Sequence, residues 1–198
     1  MRRVILLTLL AMGLPTAALA NSIDFLNSGG TLSGSSAGLT LSGSTLIGVG
    51  SIMGNDLGTV TFSTGALATG NLQMGGTFMA GGTFTITGNG ANGVHDGVIF
   101  SGSFTGPVTW TLVTTNGNSY QLSGTVSGTW FTGATLNGTT VAETVNLGST
   151  FFVTSATLGK GHTNIVTSVV PEPGALTLLG TGLISLTAMV RRKLQLPT

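Results

Sequence analysis

Val108-Thr-Trp-Thr-Leu-Val-Thr-Thr-Asn-Gly-Asn-Ser-Tyr-Gln-Leu-Ser-Gly-Thr-Val126 alternates apolar and hydroxyl-bearing residues on either side of Asn116-Gly117. Val108, Trp110 and Leu112 share one face, and threonines occupy the other. Alternation at period two, rich in β-branched and aromatic residues, predicts half-buried antiparallel strands. Asn-Gly suits the positive φ of a tight type I′ turn, so 108–114 and 119–126 are expected to pair as a hairpin. Asn137-Gly138 carries the same signal between 129–135 and 139–147. Thr59-Val-Thr-Phe-Ser-Thr and Thr83-Phe-Thr-Ile-Thr alternate likewise, while frequent glycine would weaken any helix.

Working outward, residues 21–170 read as one Gly/Ser/Thr-rich, all-β body. All 12 aromatic residues of the chain fall in it, among 33 Gly in the whole sequence. Leu, Ile, Val and Phe stand above the roughly 20% below which disorder is expected. The expected architecture is an antiparallel β-sandwich or barrel-like body spanning 21–162. Gly-Gly-Thr-Phe at Gly75 and again at Gly81 suggests a solenoid, but no fixed period supports one. Residues 28–54 are the weakest part, expected to form short edge strands of poorly fixed register. A tether over 163–170 is expected to follow the last strand.

The charges sit mostly at the two ends. Between Asn21 and Val170 the charged residues are Lys160 and the acids Asp24, Asp56, Asp96 and Glu143, one cation against four acids and a net of −3. Arg2 and Arg3 precede the apolar run Val4–Leu14, and Ala18-Leu19-Ala20 offers the small–x–small pattern cut before Asn21. Residues 1–20 therefore read as a signal peptide, forming an N-terminal signal helix, with Ala18 and Ala20 at the cleavage site. At the other end Pro171-Glu172-Pro173 precedes an uncharged run, 174–190, and then Arg191-Arg192-Lys193; a tail of 194–198 closes the chain. The run is long enough for a short transmembrane helix. The basic cluster sets its cytoplasmic end, so the Pro-Glu-Pro segment lies on the outer side of the inner membrane.

This ordered end, from Val170 to Lys193, resembles the PEP-CTERM sorting signal of exported bacterial proteins. The resemblance implies recognition at Pro171, Glu172 and Pro173 by an exosortase, a membrane-embedded cysteine transpeptidase-like enzyme. It further implies anchoring in the inner membrane before processing, then residence in the cell envelope or outside the cell. The family's association with exopolysaccharide and biofilm matrix makes exopolysaccharide an expected partner.

The body offers little for chemistry. With no Cys there is no thiol nucleophile and no Cys-zinc site. No basic patch exists for nucleic acid. His95-Asp96, the one adjacent His–acid pair, reads as a solvated Gly/Asn turn, since a metal site wants more ligands. His162 reads as exposed, and Glu143 lacks a second acid close in sequence. No catalytic, metal or cofactor residues are assigned, and a non-enzymatic envelope or matrix protein is the expectation. The alternative is a carbohydrate-binding module that stacks sugars on Trp110, Tyr120 and Trp130, although aromatics on strands more often pack in a core. Thr83, Thr85 and Thr87 would line a hydroxyl face, and Asn137-Gly-Thr matches a glycosylation sequon.

Overall fold

A computed structural model describes residues 21–167. In chain order the strands are β1 Asn21–Ser28, β2 Thr31–Ser35, β3 Gly38–Val49, β4 Ile52–Ser63, β5 Leu67–Asn71 and β6 Gly75–Phe78. They continue with β7 Gly81–Asn89, β8 Asp96–Phe104, β9 Val108–Val113, β10 Ser119–Trp130, β11 Thr135–Thr144 and β12 Ser155–Thr167. A 3-10 turn, Ala91–Gly93, lies between β7 and β8. The expected signal helix, the 174–190 helix and the sorting motif lie outside the described residues.

Several strands are halves of longer ones. β1 and β2 pair along one edge of β3 in nearly continuous register, from Phe25↔Val49 to Ser35↔Gly38. β5 and β6 prolong the β4–β7 hairpin. β9 carries on from β8, and together they line one edge of β10. The result is eight staves, each antiparallel to the next in sequence. The last, β12, pairs with β11 and also with β2 and β1. The pairings thus run round a closed circuit, which among the expected architectures is an up-and-down barrel. Closure leaves the ring of staves without a free edge except at β5, whose outer side pairs with no described strand.

Inward positions fill the barrel with side chains. Phe62, Phe84, Phe100 and Phe104 form its middle, with Phe62 and Phe84 stacked at 6.1 Å and Phe104 edge-on to both. Such ring pairs contribute about 0.5–1.5 kcal/mol each beyond the area they bury. Leu32, Leu39, Leu41 and Leu46 are also fully buried. The stretch 28–54, expected as loosely registered edges, is instead an integral part of the wall, because its leucines face the shared interior and slippage would turn them to water. Buried polar side chains pair with one another: Asn27 Nδ2 donates to Ser44 Oγ at 2.7 Å, and the Thr140 and Thr163 hydroxyls meet at 2.8 Å.

The outward face carries threonine and serine. Cross-strand pairing sets Thr61 beside Thr85, Thr85 beside Ser101, Ser101 beside Thr129, and Thr129 beside Thr135. A lipid-spanning barrel presents an apolar band outward; this one has the inverse arrangement. Glycines let neighbouring strands bend. Gly102 lies opposite Gly128, and a Cβ on either would collide with the facing backbone at Ser127 or Ser101.

Two sequence boundaries need correction. Asn137-Gly138 is not a turn but sits inside β11, opposite Ser127 and Val126 on one side and Val166 and Ile165 on the other. The hairpin turns earlier, at 131–134. Gly138 is present because β12 passes so close that a Cβ would strike Asn164 O. The tether expected over 163–170 is largely strand: Thr163 and Ile165 point into the core, 1% and 0% exposed, and β12 runs to Thr167.

Candidate functional site

The three aromatic rings proposed to stack on sugar are not a surface platform. Trp110 and Tyr120 are 1% and 0% exposed. They stack on each other at 4.9 Å, and Phe152 packs edge-on against both. Trp110 Nε1 donates to Leu72 O at 2.9 Å. The Tyr120 hydroxyl donates to Gln73 O at 2.7 Å and accepts from Phe152 N at 3.1 Å. Their polar atoms close the barrel end where the 72–74 turn meets the 145–154 loop. Neither ring can stack on a sugar: each lies inside the wall with its polar atom already bonded. The signal was present in the pattern, for Trp110 is two residues from Val108, and Tyr120 two from Leu122, on apolar faces.

Trp130 is half-buried at the opposite end. It contacts Phe25 of the core at 5.9 Å and Phe131 at 5.2 Å. Phe131 is 48% exposed and stacks on His95 at 4.3 Å. His95 and Asp96 are both exposed and stand at the end of the β7–β8 loop, which turns through left-handed Gly90, Asn92 and Gly93. Among the described residues no group of three or more His, Cys, Asp or Glu gathers as a metal site would.

The charges missed as a group in the sequence come together on the outer wall. Lys160 Nζ lies 3.1 Å from Glu143 Oε2, across β11 and β12. His162 Nε2 lies 3.0 Å from Asp24 Oδ1, which also accepts from Asn164 Nδ2 at 2.7 Å. The Asn164 and His162 hydrogen bonds hold the Asp24 carboxyl below its ordinary value. Only the closure of β12 on β1 makes this triad, so no spacing could have revealed it. A groove of about 220 Å³ runs beside it, lined by Leu26, Gln121, Val141, Glu143, Lys160 and His162. Exposed ion pairs of this kind stabilise weakly, by about 0–1 kcal/mol. None of these liners carries a hydroxyl or thiol nucleophile.

The remaining site residues, Pro171, Glu172, Pro173, Arg191, Arg192 and Lys193, together with Ala18 and Ala20, lie outside the described residues. The structure does show where the chain is handed on. β12 ends at Thr167, and a family match begins two residues later. Residues 169–193 are a PEP-CTERM protein-sorting motif. The motif implies export, a membrane-anchored sorting signal and an exosortase as processing partner. Comparison with curated proteins and with solved structures gave no match. The PEP-CTERM assignment therefore covers the end of the chain and not its barrel.

Proposed function

We propose that this protein is a non-enzymatic component of the cell envelope or extracellular matrix, exported through its leader, held by its tail and cut by an exosortase near Pro171-Glu172-Pro173. The PEP-CTERM match at residues 169–193 carries the reading. The barrel supports it in kind: a wall of paired strands, an interior filled by side chains and an exterior of hydroxyls suit a durable body among hydrated polysaccharide. Contact with exopolysaccharide then falls to the outward Thr and Ser rows rather than to Trp110 and Tyr120.

Glu172→Ala tests the reading. The variant should accumulate as a heavier, membrane-retained species, while the parent chain yields a lighter, released form. Intact-mass measurement of membrane and released fractions distinguishes them, and unchanged processing would overturn the role of the motif.

A further inference from the structure

Both chain ends leave the barrel by the same rim. β1 starts at Asn21, four residues beyond the Phe25↔Val49 pair that ends β3, and β12 stops at Thr167, one residue beyond the Val166↔Asn137 pair near the start of β11. The β3–β4, β7–β8 and β10–β11 turns complete that rim. Six residues, 168–173, separate Thr167 from the uncharged run 174–190, a reach of about 20 Å at full extension. Asn21 follows the leader directly. A bilayer that holds the run 174–190 thus lies within that reach of the strand end at Thr167.

The rim is built to meet such a surface. Met53, Val98 and Phe131 are exposed by 58%, 49% and 48%. Asn92 Nδ2 donates to Met53 O at 3.4 Å, joining the start of β4 to the β7–β8 loop. Phe131 N donates to Ile99 O at 2.9 Å, which holds Phe131 against β8 one residue from Val98, with His95 stacked on one face of its ring. Trp130, beneath Phe131, ties the patch to the core through Phe25. Apolar side chains held in place lose little further entropy on contact, and a partly exposed indole suits the headgroup region.

We propose that in the uncleaved chain this rim rests on the bilayer that holds its own tail, with Met53, Val98 and Phe131 at headgroup level. This rests on the reading of 174–190 as membrane-embedded. Exposed Asp56 and Asp96 flank the patch, so apolar burial drives the contact and anionic lipid opposes it. The far end exposes Met74, Phe151 and Val153, but no chain end leaves there to hold it against a membrane.

The test uses the full chain in phosphatidylcholine vesicles, with Trp110→Phe leaving Trp130 as the sole indole. Lipids brominated near the headgroup should lower Trp130 emission at least two-fold, whereas a Trp130→Phe chain, reporting from buried Trp110, should change little. Adding Met53→Ser and Phe131→Ser should abolish most of the quenching, with circular dichroism confirming that the strands persist. Partial replacement by phosphatidylglycerol should weaken quenching; strengthening would overturn the apolar basis of the contact. A chain that floats with the vesicles yet leaves Trp130 unquenched overturns the rim proposal alone. A chain that does not float overturns the reading of the tail, and the rim proposal with it.

Discussion

Tyr120 shows how one atom decides between ligand site and wall. Its hydroxyl holds two segments far apart in sequence, Gln73 and Phe152, at 2.7 and 3.1 Å. Tyr120→Phe would leave the buried Phe152 N–H without its acceptor and would release the carbonyl of exposed Gln73 to solvent. The expected cost is about 1–3 kcal/mol, read as a lower urea midpoint in the chain with its β signal intact. A midpoint that does not move would mean that water replaces the hydroxyl. The sequence places Tyr120 on a strand but cannot say which loops cover the barrel end, because Gln73 and Phe152 meet it only through tertiary closure. Gly138 teaches the converse: Asn-Gly is a turn signal when φ is positive, yet here glycine answers to the approach of β12.

At the scale of elements, the hairpin around Asn116-Gly117 was legible because its pattern is local. β9 and β10 pair from Val113↔Ser119 onward, and Asn116 and Gly117 take positive φ of 66° and 114°. The seam between β12 and β1 was not legible, since Asp24 and His162 are separated by nearly the whole body. That seam has a pH signature. Asp24 lies below its ordinary value of 3.8, first through the Asn164 hydrogen bond and then through His162. A depressed carboxyl stabilises the fold above its unfolded value, and that contribution fades as pH falls through the folded one. The urea midpoint of the parent chain should therefore exceed that of Asp24→Asn at about pH 5.5, and the gap should narrow toward about pH 2.5. Because both partners are about half exposed, solvent screening keeps the gap small. A gap that widened on acidification would refute the assignment.

On the scale of the molecule, the chain combines a mildly acidic barrel with basic ends. The whole sequence has a pI of about 8.3, yet residues 21–170 hold one cation against four acids. Processing that removes both ends should shift the released form to an acidic isoelectric point, visible by focusing the two fractions side by side. A basic released form would show that the Arg191-Arg192-Lys193 end stays attached. Strand content, the polar exterior and the sorting signal follow from residue order alone, because alternation, turn chemistry and a compact peptide motif act over a few neighbours. Closure into a barrel, the burial of Trp110 and Tyr120, the Asp24–His162–Asn164 seam and the shared exit of both chain ends required the tertiary structure. Each depends on strands distant in sequence meeting edge to edge, and pairing of that kind is set by the register of the whole circuit.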